Sequence, residues 1–138
     1  MDLRKWCEEQ GLTINNYELI ERAFIHSSYV NESKQPIEDN ERLEFIGDAV
    51  LQLLTAKFLY SQQDPVLDEG KMTLLRAQLV REEALAHFGR ELGLNQFLVL
   101  GAGETKSGGV ERDSNIADTF EAFIGALYLD GHMENVQN

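Results

Sequence analysis

Five acids stand at helical spacing in the two most apolar stretches of the chain. Glu41, Glu44 and Asp48 follow one another at i, i+3 and i+7, which at about 100° per residue places all three within a stripe about 60° wide. Asp118 and Glu121 repeat the i, i+3 step in the last apolar stretch. If both stretches are central helices, five carboxylates converge in or beside the core. Desolvation and mutual repulsion would then force several to hold protons unless a cation compensates. All-oxygen ligation completed by waters suits Mg²⁺ or Mn²⁺, whereas zinc favours His or Cys, and no His stands at ligand spacing beside these acids. Carboxylate-bound divalent cations most often serve phosphate chemistry, so the spacing alone points to a metal-dependent phosphohydrolase. A plainer reading makes the acids solvated helix faces or first-turn residues favoured by the helix dipole. That reading serves equally well for Glu41. It fails for Asp48, two turns into an apolar helix between Gly47 and Ala49, where small neighbours suit a site that a bulky ligand must reach, and it is awkward for Glu121.

The elements that must position these acids are all helical. Two prolines, Pro36 and Pro65, and stretches rich in Leu, Ala, Glu and Gln leave strands no obvious place. A short helix is expected over 2–10, ended by Gly11; Asn15 and Glu18 read as a capping box opening a helix to about His26. Residues 31–40 read as an exposed loop, with Asp39 or Asn40 capping a helix over 41–60 that is apolar on nearly every side and therefore buried. Amphipathic helices follow over 71–80 and, after a bend near Arg81, to about Leu92, where Gly93 is a stop. Residues 98–113, with Gly101, Gly103, Gly108 and Gly109, read as a loop closed by Asp113 or Ser114 as N-cap. The last helix is expected over 115–130, with Gly125 allowing close approach of another helix.

Composition narrows the class. The 138 residues, 43% apolar and 26% charged, suit one globular domain over 1–138. With 12 Lys plus Arg against 24 Asp plus Glu, the net charge of −12 removes the broad phosphate-neutralising surface of an ordinary nucleic-acid binder. The single Cys7, the absence of an apolar leader or membrane-length run, and the lack of a lipidation signal make a reduced, cytoplasmic setting without membrane association the expectation.

The string over 41–51, ERLEFIGDAVL, resembles the signature of the ribonuclease III endonuclease domain. His26-Ser27-Ser28-Tyr29, Asp68-Glu69-Gly70 with Leu75-Arg76-Ala77, and Ser107-Gly108-Gly109 followed by Ala117-Asp118-Thr119-Phe120-Glu121-Ala122 resemble its other motifs, so essentially the whole chain is covered. The resemblance implies an all-α ribonuclease III-like fold and hydrolysis of both strands of double-stranded RNA, leaving 5′-phosphate and 3′-hydroxyl ends with short 3′ overhangs. Ribosomal RNA maturation and turnover of structured transcripts are the cellular roles it implies, with no action on DNA.

By motif position the resemblance makes Glu44, Asp48, Asp118 and Glu121 a Mg²⁺ site that Mn²⁺ also fills, with Glu44, Asp118 and Glu121 favoured as direct ligands. Asp48 and Glu121 become the catalytic acids, serving in-line attack of a metal-activated water on the phosphodiester. Glu41 and Glu69 become accessory residues of the cleft. Phe45 becomes the aromatic residue that inserts into a cavity of the partner in a homodimer. Lys106, Ser107 and Arg112, around a Gly-rich loop, could track RNA phosphate, and a flexible solvated loop explains them equally well. His26 reads as a structural hydrogen-bonding residue, His87 and His132 as surface residues, and Trp6 and Cys7 as packing for the first helix.

Against the family's usual pattern, the sequence is expected to lack a double-stranded RNA-binding domain, since it reaches Asn138 soon after Gly131-His132-Met133-Glu134, where the family's last helix would be beginning. A shortened chain with weak, salt-sensitive RNA binding is therefore expected. Three other classes compete. An all-α nucleoside triphosphate pyrophosphohydrolase also holds Mg²⁺ on i, i+3 acid pairs, but Phe45-Ile46-Gly47-Asp48 argues against it. A non-catalytic RNA scaffold is opposed by the presence of every catalytic acid. A di-iron bundle would need Glu-x-x-His pairs, which are missing.

Overall fold

In the computed structural model the backbone is described for residues 2–34 and 36–137, and side chains for 2–34 and 36–131. Asp2 accepts the Lys5 N–H at 2.8 Å and opens α1 (Leu3–Glu9), which buries Trp6 and Cys7. Helix α2 (Tyr17–Arg22) starts later and stops sooner than the Asn15 and Glu18 pattern predicts. The cause lies at the far end of the chain. The Asp130 carboxylate accepts the Asn15 N–H at 2.8 Å and the Asn16 N–H at 2.5 Å, while Asn15 Nδ2 donates to the Asp130 carbonyl. A remote acid thus does the work expected of a local capping box.

After α2 the chain turns through Ala23 and Phe24 and then pairs with Val99. The Val99 N–H donates to Phe24 at 2.8 Å and the His26 N–H donates back to Val99 at 3.0 Å. This isolated parallel bridge is the sole β pairing among the described residues, and the elements are otherwise helical, as expected. A short α3 (Ser27–Glu32) follows and takes the first part of the expected loop. Asn40, at the other end of that loop, is buried: its backbone N–H donates to Ile25 and its Nδ2 to the Ala23 carbonyl, at 2.9 and 3.0 Å.

Helix α4 (Glu41–Tyr60) has the expected bounds but not the expected burial. Only Leu43, Gly47, Val50 and Leu59 are buried, whereas Phe45 is 82% and Tyr60 80% exposed. Its apolar circumference is one-sided in use, and half of it faces outward. Helices α5 (Glu69–Leu79), opened by Asp68 accepting from the Lys71 N–H, and α6 (Glu82–Glu91) are broken near Arg81, and Gly93 turns the chain in the left-handed region at φ 73°. The expected 98–113 loop contains a helix, α7 (Ala102–Lys106), and a 3₁₀ turn at Gly109–Glu111. Helix α8 (Asp113–Gln137) starts before residue 115 and continues unbroken past Gly131, so no further helix begins there.

α8 is the axis of the core. Ile116, Ala117, Phe120, Ala122, Phe123, Ile124, Ala126 and Leu127 are all buried, and α4 and α6 pack on different sides of it. Trp6, Phe24, Phe97 and Phe123 form a cluster of edge-on and tilted rings with centroids 5.7 to 5.9 Å apart. The α4–α8 contact is backbone to backbone. A methyl group at Gly47 would lie 1.7 Å from the Glu121 carbonyl oxygen, and one at Gly125 2.3 Å from the Leu43 carbonyl oxygen. Gly47 is therefore small because α8 lies against it, which replaces the expectation that it gives a ligand access.

Gly47→Ala is expected to destabilise the protein by about 3 kcal/mol, the upper range for overpacking a filled contact, measured as a lowered urea midpoint. Gly103→Ala, in α7 with no atom within 4 Å, is expected to be neutral or stabilising. A Gly47→Ala protein as stable as the parent would contradict the contact.

Candidate active site

The close contact of α4 with α8 carries the acids together. The Glu121 carbonyl that touches Gly47 belongs to the same residue whose carboxylate faces α4, and Asp118 lies one turn earlier on the same face. Glu44, Asp118 and Glu121 are half-buried, while Asp48 and Glu41 are exposed. Asp48 is thus the open member of the cluster rather than an acid enclosed by apolar helix.

Electrostatics show how crowded the cluster is. Burial pushes the Glu44 carboxyl up to about 7, helped by the Asp118 charge and a hydrogen bond with Asp118, then by Glu41 and Asp48. Glu121 is pushed up to about 8, first by burial and then by Asp48, Glu44 and Asp118. Asp118 is raised by burial, while the Glu44 hydrogen bond and the His26 ring pull it back down. The two carboxyls act on each other, each raised first by burial. Four of the five predicted acids therefore act on one another across the two helices, and Glu41 touches the group through Glu44. Among the described residues no three of His, Cys, Asp and Glu form a ready-made metal cage. The donor chemistry is nonetheless that of a hard divalent cation: only carboxylate oxygens, partly desolvated, with protons retained where charge is uncompensated.

Comparison with known proteins identifies the family and the fold. A family model described as Ribonuclease-III-like matches residues 16–138. The chain belongs to this family. It is 50% identical to the ribonuclease 3 of Bacillus cytotoxicus over 134 residues, 96% of this chain and 54% of that protein. It is also 50% identical to that of Oceanobacillus iheyensis, over 99% of this chain and 60% of that protein. The chain thus spans little more than half the length of these curated relatives. Among solved structures, a nuclease domain of ribonuclease III from Campylobacter jejuni, described as flexible in a region involved in dimer formation, superposes with a TM-score of 0.87 at 32% identity, over 99% of this chain and 91% of that one. Dicer from Pichia stipitis gives 0.60 at 34% identity, over 86% of this chain and 48% of that one. The ribonuclease III-like fold expected from the motifs is the fold observed.

Other expected site residues fall elsewhere. Glu69, at the start of α5, borders a groove with Leu53, Lys57, Tyr60, Met72 and Arg76, along the later turns of α4. Within one copy it does not share the acid cleft. Phe45 projects beside the acid stripe into solvent. Lys106 and Ser107 are exposed on α7 and its cap, but Arg112 is committed internally: its guanidinium donates to Glu104 and to the Ser107 carbonyl. Arg112 thus braces the glycine-rich segment while its side chain stays 42% exposed.

Two buried asparagines were not foreseen as site residues. Asn40 fixes the first turn of α4 against 23–25, and Asn115 fixes that of α8 by donating from Nδ2 to Glu104 and to the Gly109 carbonyl, each at 3.0 Å. Asn115 also holds the Glu104 carboxyl below its usual range. The available sequence signal was position: each asparagine stands one turn before an acid.

A carboxyl raised in the folded state binds its proton more tightly there than in the unfolded chain. Its stabilising effect is complete below the unfolded value and lost as pH climbs through the folded one. Metal-free protein is expected to lose stability steadily from about pH 4.5 to pH 8, the interval between the ordinary glutamate value and that of Glu121, measured as a falling urea midpoint. Glu121→Gln is expected to flatten the upper part of that slope. A midpoint that rises over the interval would contradict the cluster.

Proposed function

We propose that this chain is the nuclease domain of a Mg²⁺-dependent endoribonuclease that hydrolyses both strands of double-stranded RNA, leaving 5′-phosphate and 3′-hydroxyl ends with short 3′ overhangs. The observation that carries the reading is the half-buried acid cluster on the two helices that meet at Gly47, in a chain of ribonuclease III-like fold. Glu44, Asp118 and Glu121 would hold the ion, with Asp48 exposed beside them; Mn²⁺ would substitute by the same oxygen chemistry. Bound there, the ion activates water and neutralises charge on the phosphoryl oxygens. Burial and the neighbouring acids hold the Glu44 and Glu121 carboxyls above their ordinary range, and positive charge in the cluster would favour their ionised forms. Asp48, exposed beside Glu121, is the acid a duplex meets first. Glu41 lines the approach. Lys106 and Ser107 offer contacts to RNA phosphate.

The working unit is a homodimer. Phe45, Leu53, Phe58 and Tyr60 of α4, with Leu74 of α5, expose more large apolar surface than a monomer normally leaves wet. A cavity of about 560 Å³ beside Phe45, lined by Leu19, Arg22, Leu43, Ile46 and Leu129, suits a two-fold contact in which each Phe45 enters the other copy. Two sites then face the two strands. The setting is the cytoplasm, and the substrates are ribosomal RNA precursors and structured transcripts. No helix among the described residues is long and apolar enough to cross a membrane.

The test is a labelled RNA duplex and a matching DNA duplex incubated with the chain in Mg²⁺ at low salt. RNA alone is expected to be cut, and cleavage is expected to stop with a chelator. Glu121→Gln and Asp48→Asn should each reduce cleavage by at least about 100-fold, comparable to loss of a principal electrostatic group. Intact RNA with dimer formed and ion bound would overturn the nuclease reading; pyrophosphate released from free nucleotides would replace it. Phe45→Ala is expected to shift sedimentation toward monomer and to lower the cutting rate at dilute protein, with partial recovery at high concentration.

A further inference from the structure

We infer that Asp130 is a positioning residue of the homodimer, fixing α2 against α8 so that the cavity they share with α4 keeps the shape that a second copy's Phe45 enters. The inference rests on the homodimer reading and assigns what holds its receiving surface in place. The cavity, of about 560 Å³, takes its walls from three helices: Leu19 and Arg22 of α2, Leu43 and Ile46 of α4, and Leu129 of α8. Phe45 borders the same cavity and is 82% exposed. The inserting ring and the receiving cavity thus adjoin on one face, as a two-fold contact between identical surfaces requires.

Of the three walls, α2 is the least able to hold its own place. It has six residues, too few for a helix to persist unaided, and its N-cap Asn16 makes no side-chain capping bond. Ile20 anchors its inner face in the core, while its start is held by α8. Asp130 Oδ2 accepts the Asn15 N–H at 2.8 Å and Oδ1 the Asn16 N–H at 2.5 Å, and Asn15 Nδ2 donates to the Asp130 carbonyl at 3.0 Å. This clamp reaches the cavity in one step on either side. The Asn16 carbonyl accepts the Leu19 N–H at 3.2 Å, and Leu129 precedes Asp130 on α8. At the other end of α2, Glu38 pairs with Arg22 at 3.3 Å and with Arg42 of α4 at 3.2 Å. Exposed ion pairs of that kind contribute little, whereas a carboxylate accepting two backbone N–H groups is a strong restraint. A receiving surface already held in its bound shape avoids the cost of being ordered on association.

Asp130→Asn leaves one side-chain acceptor for two N–H donors, keeps the bond to the Asp130 carbonyl and changes helix preference little. Amide hydrogen exchange reads the clamp and sedimentation equilibrium reads the dimer. In the parent the Asn15 and Asn16 amides are expected to be protected; in Asp130→Asn they exchange faster and the dimer weakens about 10-fold, as when the receptive shape is held about a tenth of the time. Asp2→Ala, which removes the carboxylate bond at the start of α1, is expected to lower the urea midpoint and leave the dimer unchanged. Mixed dimers with one labelled chain show where Asp130 acts. A Phe45→Ala chain offers a cavity and nothing to insert, so Asp130→Asn in its companion faces no ring and is expected to be silent. Asp130→Asn placed in the Phe45→Ala chain itself damages the one cavity in use and is expected to weaken pairing with the parent about 3-fold, half the logarithmic effect of two independent cavities. Equal loss in both arrangements, a parental dimer in Asp130→Asn despite faster amides, or unprotected amides in the parent would each overturn the inference while the homodimer stands. A parent chain monomeric at every concentration would instead refute the homodimer itself.

Discussion

The backbone contact between α4 and α8 governs the rest of the molecule. Gly47 and Gly125 let two helices approach until carbonyl oxygens of one lie where side chains of the other would begin. Any larger residue would separate the axes, and with them the acids, because Glu44 and Asp48 flank Gly47 while Glu121 provides the very carbonyl it touches. Core packing and site geometry are thus one interaction here. The aromatic cluster of Trp6, Phe24, Phe97 and Phe123 then seats α1 and the 94–97 turn on the remaining side of α8.

This contact has an electrostatic cost. Packing four carboxylates between helices in a chain of net charge −12 raises Glu44, Asp118 and Glu121 together, so the folded chain keeps protons that isolated acids would shed. Sites built for charged ligands commonly carry such destabilising groups, held by the surrounding structure. Here the restraint comes from buried amides and one ion pair: Asn40 and Asn115 anchor the two acid-bearing first turns, and Arg112 with Glu104 braces the segment between α7 and α8.

Much of this was legible in the sequence because it is local. The spacing of Glu41, Glu44 and Asp48, and of Asp118 and Glu121, is a property of single helices, and the bounds of α4 followed from its continuous helical pattern. What escaped was non-local. Nothing near Asn15 announces that Asp130 will take its N–H, so the local capping pattern predicted too long a helix. Gly47 was read as room for a ligand because the helix lying against it is far away in sequence. The 41–60 helix was read as buried because periodicity records which residues are apolar, not whether one copy of the chain covers them, and Phe45 and Tyr60 are exposed. His26 was rightly read as a hydrogen-bonding residue: its Nδ1 accepts the Ser28 N–H.

The Asp130 clamp on Asn15 and Asn16 has a further consequence, one of timing. It ties α2 to α8, elements from opposite ends of the described chain, just as the Gly47 contact ties the first acid pair to the last. A ribosome releases these partners in order, so while α8 is still in the exit tunnel the emerged chain carries Glu44 and Asp48 without Asp118 and Glu121. During synthesis next to the RNA that encodes and surrounds it, the nascent protein holds only half of its acids. The site closes at the same moment as the fold.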